Sequence, residues 1–270
     1  MSRLAIQKAR TKMAALNNQF INRIFSLLDC FSEERPELGV REAARMLDIS
    51  PSSCGRLMSE LRDEGVLTQS SDNRMYSLAG RVMRWAGVYT ASSDLRRKAY
   101  PYMEQMAKQT NETVTLYTAE EYDRVCVERI ESQMTVRIVE PVGTRISIFK
   151  GSGGKAILAF RPPEEIDQNL AHARSDPRCP DDEAFFTQLR AELAEIRECG
   201  YAVSHGEWQS DASGIASPIF DERGIPIGSI SISGPTQRFL DENKLNSYAE
   251  LLKKDVGMIS RELGYKANLR

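Results

Sequence analysis

Two histidines, five scattered cysteines and no long apolar run are what this chain has least of, and each scarcity removes a class of function. With only His172 and His205, histidine-dependent catalysis and metal binding have little to work with. Cys30, Cys54, Cys126, Cys179 and Cys199 never fall in a C-x-x-C pair, which argues against a zinc site or a disulfide framework. Most of them read as small buried apolar residues, and neither a metal nor a cofactor is expected. No apolar stretch approaches the ~20 residues that cross a bilayer, and the basic N-terminus lacks the apolar core and cleavage site of a secretory leader. A cytoplasmic protein with no membrane partner is therefore expected. Acids are missing from the first 28 residues, where Arg3, Lys8, Arg10, Lys12 and Arg23 stand.

What remains is the composition of an ordinary globular protein, 41% hydrophobic and 27% charged. At 270 residues the chain is long enough for two domains. Its net charge of -2 hides an asymmetry: residues 1–85 carry 13 Lys and Arg against 10 Asp and Glu. A basic arm on an otherwise acidic protein suggests a local polyanion contact, although a solvated tail reads the same way.

The segment "NNQFINRIFSLLDCF" spaces Phe20, Ile21, Ile24, Phe25, Leu27 and Leu28 by threes and fours, an amphipathic helix. "VREAARMLDIS" reads as a short second helix with Ala43, Ala44 and Leu47 inward. In "SPSSCGRLMSELRDEGVL", Ser50 suits an N-cap, Pro51 the first helical position and Gly65 the stop. "VLTQ" and "MYSL" then read as short strands around the turn formers "SSDN". Three helices followed by a hairpin is the order of a winged helix-turn-helix. Such a motif presents the first turn of its second helix to base edges in the major groove, here Ser52, Ser53, Gly55 and Arg56. Arg56 is the best reader of guanine or phosphate, Ser52 and Ser53 are short donors, and Gly55 allows close approach. Arg41 and Arg74, at the start of the preceding helix and in the hairpin tip, are placed for phosphate or minor-groove contact.

From Ala79 to about Met106 the pattern is helical, interrupted near "ASSD" and at Pro101. "TVTLYTAE", "DRVCVERI" and "VRIVEP" read as strands. Helical stretches follow from Gly153 to about Phe160 and in "PEEIDQNL" and "DEAFFTQLRAELAEIREC". "IASPIFDERGIPIGSISISGP" reads as a hairpin turning at Gly224, and a last helix runs from about Asp241 to Leu263. Strands and helices do not alternate as βαβ units, so an α+β domain fits better than a dinucleotide-binding fold.

"FKGSGGKAILAF" could be a nucleotide loop. Yet the first glycine of G-x-x-x-x-G-K-[ST] falls on Phe149 and the hydroxyl position on Ala156. What survives is a helix N-terminus, with exposed amides and partial positive charge, able to hold an anion. In "GIPIGSISISG", period two puts Ser229, Ser231 and Ser233 on one side and Ile230 and Ile232 on the other. A serine row facing a cavity can bind a carboxylate or hydroxyl.

"LGVREAARMLDISPSSCGRLMSELRDEGVLTQSSDNRMYSL" resembles the DNA-binding domain of the IclR family of bacterial transcriptional regulators. "YPYMEQMAKQTNETVTLYTAEEYDRVCVERIES", "VGTRISIFKGSGGKAILAF", "LAEIRECGYAV" and "GIASPIFDERGIPIGSISISGP" resemble that family's further landmarks in order, over roughly residues 18 to 265. The resemblance implies a winged helix-turn-helix domain at 1–80, a linker helix at 81–97 and a GAF-like α+β effector-binding domain at 98–270. It implies effector contacts at Ser152, Gly153, Gly154, Ser231, Ser233, Gly214 and Ser204, with Ile146 in an apolar wall. Phe149-Lys150-Gly151 and Ser204 depart from the family's usual residues. Lys155 reads as a surface or ion-paired lysine, and His205, Glu207 and Trp208 as a loop that could cover the pocket.

The expected function is a ligand-responsive transcriptional regulator, repressor or activator, and not an enzyme. Its partners would be a palindromic double-stranded DNA operator, a small effector of carboxylate type, and further copies of itself in a dimer or tetramer. Two alternatives stay open. One is an enzyme acting on a small acid through Ser213, His205 and Asp211, although no G-x-S-x-G elbow surrounds them. The other is an interaction protein that keeps the helix-turn-helix as a scaffold.

Overall fold

The structure, a computed structural model, describes residues 20–175, 179–180 and 182–266. The basic arm, with Arg3, Lys8, Arg10 and Lys12, lies outside the described residues. The chain divides into two compact units, Met1–Ser92 and Ser93–Arg270.

In the first unit, helix α1 covers residues 20–28, followed by strand β1 (Glu37–Leu38), α2 (Val40–Met46) and α3 (Pro51–Asp63). Strands β2 (Leu67–Gln69) and β3 (Tyr76–Leu78) form the wing, and β1, which the sequence reading missed, completes a sheet of order β1-β3-β2. Ser50 caps α3, its Oγ accepting the Ser53 N–H at 3.2 Å, and Pro51 occupies the first helical turn. Gly65 ends the helix at φ +71°, a conformation that glycine adopts without a Cβ penalty. Cys54, Leu57, Met58 and Leu61 of α3 bury against Leu27, Leu38, Ala43, Ala44 and Tyr76. Helix α4 (Gly80–Ser92) closes this unit.

The interruption expected near "ASSD" is present: α4 ends at Ser92 and the next helix starts at Asp94, so the expected bound at 97 falls inside that helix. Ser93, extended at φ -87° and ψ 93°, caps α5 (Asp94–Thr110) by accepting the Arg96 N–H. Pro101 sits within α5 without breaking it, at the cost of one backbone hydrogen bond.

The second unit is built on six antiparallel strands in the order β6-β5-β4-β9-β8-β7. They are β4 (Thr113–Glu120), β5 (Asp123–Ile130), β6 (Arg145–Ser147), β7 (Ala202–His205), β8 (Ala212–Phe220) and β9 (Pro226–Pro235). "VRIVEP", read as a strand, is irregular. Alternation sorts the sheet's faces. Val114, Leu116, Ile215, Ile230 and Ile232 pack on α5 and on α9 (Glu242–Glu262). Tyr117, Cys126, Ala202 and Ala216 pack under α6 (Gly151–Leu158), α7 (Pro163–Ser175) and α8 (Glu183–Cys199). The β8–β9 hairpin turns at Gly224, φ +76°. Four cysteines are buried and Cys199 is exposed, and none of the five is in a disulfide.

Candidate functional site

At the start of α3 the three hydroxyls of Ser50, Ser52 and Ser53 cluster, Ser50 Oγ lying 3.1 Å from Ser52 Oγ and 2.9 Å from Ser53 Oγ. All three residues are exposed. Arg56 follows on the same face, its side chain 83% exposed and its Nε donating to Glu60 one turn later at 2.9 Å. An exposed i,i+4 pair of this kind is worth only ~0.5 kcal/mol, so a phosphate or guanine can take its place. Arg41 is exposed at the start of α2, and Arg74 is exposed in the wing with φ +60°.

Gly55 has a packing role that the sequence did not show. A Cβ there would meet Val40 Cγ1 at 3.3 Å, so its bare side faces α2. The missing side chain lets two helices pack closely.

The second candidate site lies at the N-terminus of α6. Ser152 and Gly153 from α6, Ser204 from β7, Gly214 from β8, and Ser231 and Ser233 from β9 line one cavity of about 40 Å³. At this volume it has room for a few waters. Gly214 leaves space where a methyl group would come 3.0 Å from Ser152 Oγ and 3.3 Å from Ser231 Oγ. Ser229, the third serine of the row, is used differently: its Oγ donates to the Gly153 carbonyl at 2.8 Å and ties β9 to α6.

Two residues assigned to this site are not on its wall. A Cβ on Gly154 would run into the Ile148 carbonyl, so this glycine lets the start of α6 close on the preceding backbone. Ile146 is buried in β6, paired with Arg124 of β5, and is absent from the cavity lining.

The donors at the start of α6 are not all open. Gly151 N–H donates to Glu207 Oε2 at 2.8 Å, and Ser152 N–H to Ser204 Oγ at 2.9 Å. Glu207 also pairs with Lys155, which is 2% exposed and bonded in addition to Glu192 of α8. Lys155 is thus an internal ion pair, one of the two roles that the sequence left open for it, and not a surface lysine. Glu207 and Trp208, on the β7–β8 connection, do reach the cavity.

Sequence reasoning missed Tyr117, Arg124, Ile138 and Glu140, which line the wall together with Gly151, Ala212 and Ser213. Tyr117 O–H donates to Glu140 at 2.9 Å, and the Arg124 guanidinium lies 4.0 Å from the centre of the Tyr117 ring. Burial pushes the Glu140 carboxyl above its usual range, while Arg124 and the Tyr117 hydrogen bond pull it back. Burial likewise raises the Tyr117 hydroxyl and, with the Glu140 charge, lifts the Cys126 thiol to about 12. One signal was available: Arg124 shares the period-two parity of Cys126, whose face packs against α6.

The comparisons agree with both halves. The model of the IclR helix-turn-helix domain matches residues 21–71, and that of the bacterial transcriptional regulator IclR C-terminal region matches residues 87–261. The HTH-type transcriptional regulator KdgR of Escherichia coli K12 is 30% identical over 247 residues, 90% of this chain and 92% of that protein. The crystal structure of Thermotoga maritima IclR superposes with a TM-score of 0.73 at 27% identity, covering 92% of this chain and 99% of the other. A Microbacterium hydrocarbonoxydans IclR homolog complexed with 4-hydroxybenzoate gives 0.73 at 25% identity, over 90% and 98%. Helix-turn-helix, α+β domain and ordered landmarks lead to one assignment: this chain belongs to the IclR family of bacterial transcriptional regulators.

Proposed function

We propose that this regulator acts in the cytoplasm, docking Ser52, Ser53 and Arg56 in the major groove of a half-site, with Arg41 and Arg74 on flanking phosphates. A small organic acid in the α6 cavity modulates that binding. The observation that carries the second part is the convergence of Ser152, Gly153, Ser204, Gly214, Ser231 and Ser233 on one cavity. These residues come from four separate elements, α6, β7, β8 and β9, and the hydroxyls of Ser152, Ser231 and Ser233 meet there. Because the coupling between sites is reciprocal, an acid that weakens operator binding is weakened equally by the operator.

One such DNA-binding domain makes few base contacts, so useful specificity needs paired domains on a palindrome. The self-association surface we favour is apolar and exposed: Phe20, Ile21 and Phe25 on α1, and Met83, Val88 and Tyr89 on α4. A dimer, or a tetramer of two, follows.

Catalysis is not part of this reading. His205 Nδ1 lies 2.8 Å from Ser213 Oγ, but Ser213 donates its single hydrogen to Thr236 Oγ1 at 3.0 Å. Ser213 thus stands in a hydrogen-bond chain between His205 and Thr236, and no G-x-S-x-G elbow presents it as a nucleophile.

Two variants test the two halves. Arg56→Ala should lose roughly 1–3 kcal/mol of specific binding if Arg56 reads a base, measured by fluorescence anisotropy at fixed salt. The duplex is one that the wild-type protein has selected from a random library. Unchanged affinity removes Arg56 from the interface. Ser231→Ala with Ser233→Ala should abolish calorimetric binding of the acid that stabilises the wild-type protein most in a thermal-shift panel of carboxylates. Equal affinity in that double variant places the pocket elsewhere.

A further inference from the structure

Part of the positive charge expected at the start of α6 is already engaged. Glu207 and Ser204 accept the first two amide hydrogens, and two glutamates hold Lys155. Arg124, from β5, is different. It lines the cavity and is 3% exposed. Its Nη1 stands 3.3 and 3.4 Å from the Glu140 oxygens, long against the 2.7–2.9 Å typical of charge-assisted hydrogen bonds. Glu140 is shared with Tyr117 O–H. The Nε of Arg124, fully buried, has no hydrogen-bond partner. A methyl group placed on Gly151 would come 3.5 Å from Nη2, so the guanidinium also abuts the start of α6.

A buried guanidinium with an unpartnered N–H and a stretched partner is an incomplete carboxylate receptor, because its fork matches two oxygens at once. A neutral analogue offers at most a carbonyl oxygen and no opposite charge, so it forgoes the charge-assisted part of the bond. We infer that Arg124 is the counter-ion for the effector's carboxylate, with Ser152 and Ser231 offering hydroxyls beside it, so that the site selects small carboxylic acids over their neutral analogues. The inference rests on the reading of this cavity as the effector site. The cavity's small volume favours a compact acid, and an aromatic one requires the connection bearing Trp208 to shift.

The test is calorimetry on the full chain with acetate, benzoate and 4-hydroxybenzoate, each against its amide. At least one acid should saturate, and its amide should bind about tenfold more weakly, the equivalent of one charge-assisted hydrogen bond. Arg124→Gln alone strands the buried Glu140, so the informative variant is Arg124→Gln with Glu140→Gln, which leaves the net charge of the wall unchanged. It should lose about tenfold or more of acid affinity while amide affinity stays within a factor of about two. Undiminished acid binding in that variant overturns the inference, as does an amide that binds wild type as well as its acid. So does the lack of saturation by any acid at about 10 mM, where even a millimolar site fills. The serine double variant separates the two ideas. Acid binding lost there but intact without Arg124 leaves the cavity standing and removes the arginine. Acid binding intact there removes the cavity.

Discussion

Lys155→Met is expected to lower the stability of the second unit by about 3 kcal/mol, the low end for breaking a buried ion pair. Methionine fills nearly the same volume, so little of this is a cavity effect. What is lost is the charge that pairs with both Glu192 and Glu207, both partners being 33% exposed while the lysine is 2% exposed. Their partial exposure lets water share the load and keeps the expected cost from reaching the top of the range. Urea unfolding followed by Trp208 fluorescence measures it, in a Trp85→Phe background so that only the second unit reports. Adding Glu192→Gln and Glu207→Gln should recover most of the loss. A deficit that persists in the triple variant assigns the effect to packing, and a loss under about 1 kcal/mol means that solvent already screens the pair.

Gly154→Ala is expected to cost about 3 kcal/mol or more, at the upper edge of overpacking effects. The helical conformation at this position suits alanine, and in an open helix the change would stabilise by roughly 1 kcal/mol. Here the new methyl group meets the backbone of Ile148, with its carbonyl oxygen, carbonyl carbon and Cα all close. Backbone cannot rotate aside as a side-chain tip can. Either α6 lifts from the chain before it or the turn opens, and both move Ser152 and Gly153 on the cavity wall. The same urea experiment reads the loss. A variant as stable as wild type would mean that α6 relaxes freely, and the cavity's dimensions would then be soft as well.

Most of the first unit was legible in the sequence. Helix periodicity, the Ser50–Pro51 start and the Gly65 stop are local signals, and local chemistry decides them. The short strand β1 was not legible, because two residues carry no period and exist as a strand only by pairing with Ser77 and Tyr76. The serine row was visible through alternation, but the separate task of Ser229 was not.

Glycines mark the clearest limit. Gly55, Gly153, Gly154 and Gly214 look alike in sequence, yet Gly55 faces Val40, Gly154 faces Ile148, and only Gly153 and Gly214 reach the cavity. What a glycine makes room for depends on the neighbour that fills the gap, and that neighbour is set by packing between distant segments.

Charge pairing divides in the same way. Composition, the two-part plan and the order of motifs follow from the chain alone, since each rests on residues near one another in sequence. Which acids neutralise Lys155, and that Arg124 is left half-satisfied beside Tyr117 and Glu140, depends on strands and loops brought together from 16 to 52 positions away. Electrostatic attraction acts through space, so only the folded arrangement could decide it.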